Sequence, residues 1–282
     1  MRSKIRINLI LYNIKFMSIF KNNLKKIVGI IGGMGPRAGL TLHQKIIDNT
    51  KVIKDQDHIP IIHNSFSSLI TDRTDYILGK DIDTPSLGAM RCIDFIDNSV
   101  NKTDVDEIII GIPCNTFHSK PILDPFLFYL HNIPKKKFVF LNMIDLTVNY
   151  IKNNYPNEKI GLLSTSGTIC SNVYLNESKK NNIELVYLDY KTNIKINDAI
   201  YNYEWGIKKS SNPIHNNVND IILESINEYK KQNINTVILG CTELSLATNN
   251  LLIDEINFID PVDILSKNII YNYYLNNDII YL

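Results

Sequence analysis

The sequence predicts an α/β protein made of two similar halves, each a parallel sheet covered by helices. Three observations lead there. Short apolar runs alternate with longer helical patterns along most of the chain. Those runs are continuous rather than alternating, as expected of strands buried on both faces. The order of motifs in the first half also recurs in the second.

The expected strands are Ile27–Ile31, Ile59–Asn64, Glu107–Ile112, Phe138–Leu141, Lys159–Leu163, Glu184–Leu188, Thr236–Gly240 and Asn257–Ile259. Between them helices are expected over Gly39–Lys54, Pro85–Ser99, Asp145–Asn154, Ser171–Asn182, Asp189–Tyr203 and Asn217–Gln232. The repeat aligns "VGIIGGMGP" from Val28 with "IGLLSTSGT" from Ile160. Further on, "IIIGIPCNT" places Cys114 after a strand and "NTVILGCTE" does the same for Cys241. Gly29 and Cys114 are 85 residues apart; Gly161 and Cys241 are 80 apart. Open α/β sheets bind ligands at the carboxyl ends of their strands. Two such halves facing each other would gather both loops and both cysteines around one cleft. The expected division is 27–142 and 143–261, with a C-terminal helix over 262–282 completing the first half and 1–26 as an N-terminal extension.

At 282 residues, 44% hydrophobic and 21% charged, the composition is that of an ordinary globular protein. The formal charge of +1 hides an asymmetry. Residues 1–26 hold seven of the 30 Lys and Arg and none of the 29 Asp and Glu, which leaves the remainder at −6. A mildly acidic body argues against nucleic acid as partner, since phosphate neutralisation needs a concentrated basic face. "INLILYNIKF" is too short and too polar to span a bilayer. The leader reads as an upstream extension, or as a start placed early with Met17 a natural second start. Cys92, Cys114, Cys170 and Cys241 form no CxxC pair and no zinc spacing. Reduced thiols and a cytoplasmic location are the expectation.

The stretch "GIIGGMGPRAG" loosely matches a dinucleotide fingerprint through Gly33, Gly35 and Ala38. Pro36, however, removes an N–H where a pyrophosphate would need donors. The second strand ends in His63-Asn64, with no acid for a ribose hydroxyl. A glycine turn that lets backbone approach a small ligand, more naturally a carboxylate than a phosphate, is what remains.

Cys92 and Cys170 lie in helical or turn patterns without polar company and read as packed, inert thiols. Cys114 and Cys241 each follow a strand directly and precede hydrogen-bonding residues, Asn115 and Thr116 in one half, Thr242 and Glu243 in the other. A helix N-terminus there would lower a thiol's pKa. Two thiols facing one cleft suit a disulfide or, where thiols stay reduced, a two-base proton transfer. In the latter, one thiolate removes a proton from a carbon acid and a thiol returns one on the opposite face.

At these residues the sequence resembles the aspartate/glutamate racemase superfamily, in its aspartate racemase branch. The similarity runs from about Lys26 onward and rests on "GIIGGMGP", "HNSFSSLITDRTDYILG", "IPCNTFH", "LLSTSGT", "WGIKKSSNP" and "LGCTELSLA" in that order. The resemblance implies two pseudo-symmetric Rossmann-like (flavodoxin-like) domains with the active site between them. It implies no pyridoxal phosphate, no metal and a homodimer. It also implies interconversion of L- and D-aspartate with Cys114 and Cys241 as the acid/base pair. Arg73 and Lys208 match the basic positions for substrate carboxylates. Thr165 and Thr168 match the second half's polar loop. Met34, Gly35, Asn115, Thr116 and Thr242 complete the expected substrate-binding set. Glutamate racemases carry an Asp-Ser pair in the first loop and "CTH" after the second cysteine. Here "GGMGP" and "CTE" stand instead, which favours aspartate.

Glu243 has two readings, support of the chemistry or a helix N-terminal acid. His118, four residues after Cys114, would share its face if that stretch were helical, but it also reads as a packed imidazole. His43 and His63 are similarly ambiguous, and none of the three is counted as catalytic. The rival functions are a glutamate or broad-specificity racemase, a maleate cis–trans isomerase, a hydantoin racemase, and a non-catalytic amino-acid-binding module.

Overall fold

The computed structural model of the protein describes residues 24–134, 137–249, 251, 253 and 255–275. Most of the N-terminal extension (1–23) and the end of the expected C-terminal helix (276–282) lie outside the described residues.

The first half runs β1 (Lys26–Gly32), α1 (Pro36–Asn49), β2 (Ile61–Ser65), α2 (Arg73–Ile77), α3 (Pro85–Val100), β3 (Glu107–Gly111), α4 (Lys120–His131) and β4 (Lys137–Phe140). The second runs α5 (Met143–Asn154), β5 (Lys159–Ser164), α6 (Ser166–Cys170), α7 (Val173–Lys180), β6 (Glu184–Val186), α8 (Tyr190–Tyr201), α9 (Asn216–Lys231), β7 (Thr236–Gly240), α10 (Thr242–Thr248), β8 (Asn257–Ile259) and α11 (Pro261–Tyr274). Two four-stranded sheets result, ordered β2-β1-β3-β4 and β6-β5-β7-β8, and every pairing is parallel. The two orders are the same once the second half is numbered from its own first strand. The repeat in the sequence is therefore a repeat in topology, and the α/β class with two parallel-sheet halves holds.

The continuous apolar runs have the cause expected of them. Ile27 and Ile31 of β1 and Ile108 and Ile110 of β3 pack into one core, with Ile93, Ile96, Phe117 and Phe126. The alternate residues Val28, Ile30 and Ile109 pack into another, with Leu42 and Ile46 of α1 and Val262, Leu265 and Ile269 of α11. The second sheet divides in the same way. Leu163, Val237 and Leu239 face α8, α9 and α10, while Ile160, Leu162 and Ile238 face α5 and Tyr174. Helices α5 and α11 pack against each other and fill the layer between the sheets.

Helix starts follow side-chain chemistry. Thr84, Asn142, Asp189 and Asp260 each accept a backbone N–H at the head of α3, α5, α8 and α11, and Pro follows directly in α3 and α11. Differences from expectation have local causes. α1 starts at Pro36, since Pro suits the first helical position. The helix expected over Ser171–Asn182 is α7, shortened to Val173–Lys180; Asn172, at φ 55°, separates it from the short α6 before it. α4 has no counterpart among the expected helices. Pro125 removes an internal hydrogen bond from it, yet burial of Ile122, Leu123, Phe126 and Leu130 outweighs that loss. Among the described residues no helix is long and apolar enough to cross a membrane.

Candidate active site

One pocket between the halves is lined by Met34, Arg73, Cys114, Asn115, Thr116, Thr165, Thr168, Tyr201, Lys208, Gly240, Cys241, Thr242 and Glu243. Its space amounts to ≈ 280 Å³ with the open solvent at its mouth included. Ten of the eleven residues expected at the site are in this lining. The eleventh, Gly35, lies just behind it, where a Cβ would stand 2.9 Å from Glu243 Oε1. The preceding turn passes Gly33 at φ 91°, a conformation that favours glycine.

Each wall is a loop at the carboxyl end of a strand or a helix start next to one. Cys114 follows β3 and heads a 3₁₀ turn over Asn115–His118; Cys241 follows β7 and heads α10. Their backbone angles nearly coincide, φ −143°, ψ 110° and φ −137°, ψ 130°. Both are buried, at 8% and 7% exposure. The halves are tied together across the pocket by hydroxyls. Thr116 Oγ1 is 2.8 Å from Thr168 Oγ1, which is 3.2 Å from Thr165 Oγ1, and Thr242 Oγ1 donates to the Pro113 carbonyl at 2.9 Å.

Arg73 opens α2 beside its capping residue Asp72, which accepts the Thr74 and Asp75 amides. Its guanidinium donates to the Thr71 carbonyl at 3.2 Å and meets the Cys114 side chain. Burial opposes its charge, but Cys114 and Asp72 outweigh burial and hold it protonated. Arg73 Nε and Asn115 Nδ2 are buried donors without a hydrogen-bond partner among the described residues. Asn115 is held by its other end, where Oδ1 accepts from Tyr174 Oη at 2.6 Å. Unmet donors in a pocket await an acceptor.

Lys208 belongs to the irregular segment after α8, folded back so that its amide bonds the Ile200 carbonyl at 3.1 Å. Its Nζ lies 3.3 Å from Glu243 Oε1 and 5.0 Å from the centre of the Tyr201 ring. Burial works against its charge, and Glu243 and Tyr201 hold its pKa up. Burial likewise pushes the Glu243 carboxyl up, but Lys208 outweighs this and keeps it below the usual carboxylate range.

The second thiol departs from expectation. A helix N-terminus was expected to lower its pKa; instead burial, and then the Glu243 carboxylate, push Cys241 well above the ordinary value. Cys241 Sγ donates to Glu243 Oε2 at 3.1 Å. His118 is not part of the pocket lining. Its Nε2 lies 3.1 Å from the Ile112 carbonyl oxygen, and burial pulls its pKa down to about 4. Cys92 is buried, with its thiol pushed up to about 11 by burial, whereas Cys170, expected to be packed, is exposed. Tyr201 and Gly240 were missed from sequence. Tyr201 Oη reaches across to Asp72 Oδ2 at 3.2 Å and Thr74 Oγ1 at 3.0 Å, a contact between halves that no local motif encodes.

Two parallel-sheet halves with paired thiols, two cations and a pocket between them define an α/β protein of the cleft-binding kind. The Asp/Glu/hydantoin racemase family model matches residues 31–269, and the chain belongs to that family. Among curated proteins it is similar to the broad specificity amino-acid racemase RacX of Bacillus subtilis, 26% identical over 87% of this chain and 97% of the relative. Among solved structures it is similar to Picrophilus torridus aspartate racemase, with TM-score 0.67 and 26% identity over 88% of this chain and 94% of that one. The glutamate racemase of Francisella tularensis shares the fold, with TM-score 0.61 and 21% identity over 90% of this chain and 82% of that one. The chain is a racemase of this family, an isomerase.

Proposed function

We propose that this racemase interconverts L- and D-aspartate without a cofactor, by proton transfer at Cα between Cys114 and Cys241. The observation that carries this reading is the pairing of two buried thiols with Arg73 and Lys208 in one small pocket. Two cations suit the two carboxylates of a small amino diacid, and the guanidinium offers a bidentate fork. The unmet donors Arg73 Nε and Asn115 Nδ2, with the hydroxyls of Thr116, Thr165 and Thr168, suit carboxylate oxygens as they take on enolate charge. One sulfur removes the Cα proton while the other supplies a proton to the opposite face, which inverts the centre. Reduced cysteines are required, so the reading includes a reducing, cytoplasmic setting. It also includes a homodimer, which light scattering would read directly.

The test is solvent deuterium exchange into Cα of L- and D-aspartate. Wild type should interconvert the two with deuterium entering the product. Cys114→Ser and Cys241→Ser should each lose racemisation by about 10³-fold, within the range of a general acid or base. A serine variant with full two-way activity would remove its cysteine from the mechanism. A second reading, a broader amino-acid range, is favoured by the similarity to RacX. Glutamate, alanine and maleate assayed beside aspartate separate it from the first.

A further inference from the structure

We propose that Glu243 is a positioning residue that keeps the proton on Cys241, so that the free enzyme rests with Cys241 as thiol and Cys114 as the proton-accepting sulfur. The proposal rests on the two-thiol reading above and deepens it.

The two cysteines share a position and a backbone conformation, but different groups meet their sulfurs. Cys241 Sγ donates to Glu243 Oε2 at 3.1 Å, and Oε1 of the same carboxylate is 3.3 Å from Lys208 Nζ. The carboxylate is thus held between a cation and a thiol. Cys114 meets the Arg73 guanidinium, which donates and cannot accept. An S–H···carboxylate bond lasts only while sulfur keeps its proton. Once the proton is lost, two anions stand side by side in a site nearly closed to water. The other charged or titratable groups near the pair are Asp72 and Tyr201. Asp72 stands behind Arg73, and Tyr201 lies under the Lys208 ammonium. Lys208 opposes the effect of Glu243 on Cys241 but does not cancel it, and burial adds to it.

The enantiomer whose Cα–H faces Cys114 reacts with the resting form directly. The Cα–H bond breaks toward Cys114 Sγ, whose lone pair takes the proton, and the electron pair left behind spreads into the carboxylate. Cys241 gives its proton to the opposite face, and the S–H electron pair stays on sulfur. Turnover leaves a thiol at Cys114 and a thiolate at Cys241 beside Glu243. The enzyme returns to rest when one proton passes between the sulfurs through solvent. As a helix N-terminal acid alone, Glu243 would stabilise α10 without deciding which sulfur holds the proton.

Alkylation of the free protein tests this. Wild type, Glu243→Gln and Glu243→Asp are treated with iodoacetamide from about pH 6 to 10, and mass spectrometry reads each cysteine's labelling rate. Wild type should be labelled first at Cys114. In Glu243→Gln, labelling of Cys241 relative to Cys114 should rise about tenfold or more near neutral pH, and its midpoint should fall by about one pH unit. Glu243→Asp should restore part of the wild-type order. Thermal melting checks that the variants are folded. An unchanged labelling ratio in folded Glu243→Gln overturns the proposal. So does wild type labelled first at Cys241, a result that needs no variant. Labelling needs no turnover, so a protein that racemises nothing sinks the two-thiol reading while the labelling order still reports on Glu243. Active wild type with an unmoved ratio sinks only the role of Glu243.

Discussion

Cys114 and Cys241 follow equivalent strands at similar depth and with nearly equal backbone angles. The residues that follow them diverge. After Cys114 come Asn115, Thr116 and, four positions on, His118, and Arg73 lies against the sulfur. After Cys241 come Thr242, Glu243 and, four positions on, Ser245, whose hydroxyl donates to the Thr242 carbonyl at 2.8 Å. Repetition of the fold puts two sulfurs at matching places around one pocket. The unmatched side chains make one sulfur a neighbour of a cation and the other a neighbour of an anion. A two-base reaction requires that asymmetry, because at any moment one group holds a proton that the other lacks.

The sharpest way to break the comparison is to remove each half's cation. Arg73→Gln should lower kcat/KM for aspartate by about 10²-fold, the size of a lost charge-assisted hydrogen bond in a buried site. Lys208→Gln should cost about tenfold, mostly in KM, because the lysine already shares its charge with Glu243 in the free enzyme. Steady-state racemisation of both enantiomers measures the two. Equal losses would mean that the halves hold the substrate alike. A smaller effect is expected at the hydroxyls joining the halves. Thr168→Val removes the 2.8 Å contact with Thr116 and should cost about 1 kcal/mol in urea unfolding. Thr116→Val should cost about the same, and the double variant should fall short of the sum, since the two share one bond.

Much of this was legible in the chain. Strand positions followed from runs such as "KIVGIIG", because burial on both faces leaves a signal that needs no partner to be read. The site was legible through its loops, since the fold brings strand-end motifs together wherever they lie in sequence. What escaped depended on contacts between distant segments. Helix α4 is stabilised by the core it covers despite Pro125, and Tyr201 matters through Asp72 and Thr74, 129 and 127 residues away. The raised pKa of Cys241 was hidden for a similar reason. Motif position gives the helix N-terminus, but burial depth and the direction of the Glu243 carboxylate are tertiary facts.

His118 supplies the smallest effect and the cleanest contrast with Ser245, its counterpart in the other half. Its ring is buried against Phe117 and Phe140, and its pKa falls from the ordinary 6.5 to about 4. Below pH 6.5 the unfolded chain takes up a proton that the folded chain refuses. Stability therefore falls as pH drops toward 4. Between pH 7 and 5.5 this one group should cost about 1 kcal/mol, since each further pH unit below 6.5 adds about 1.4. His118→Gln keeps a donor for the Ile112 carbonyl and has nothing to titrate. Urea unfolding of both proteins at the two pH values isolates the histidine, because every other group titrates alike in the pair. A wild type no more acid-sensitive than His118→Gln would mean that the imidazole accepts its proton in the folded state. His118 would then be a second cation near Cys114, and the contrast between the two sulfurs would be larger than Arg73 alone makes it.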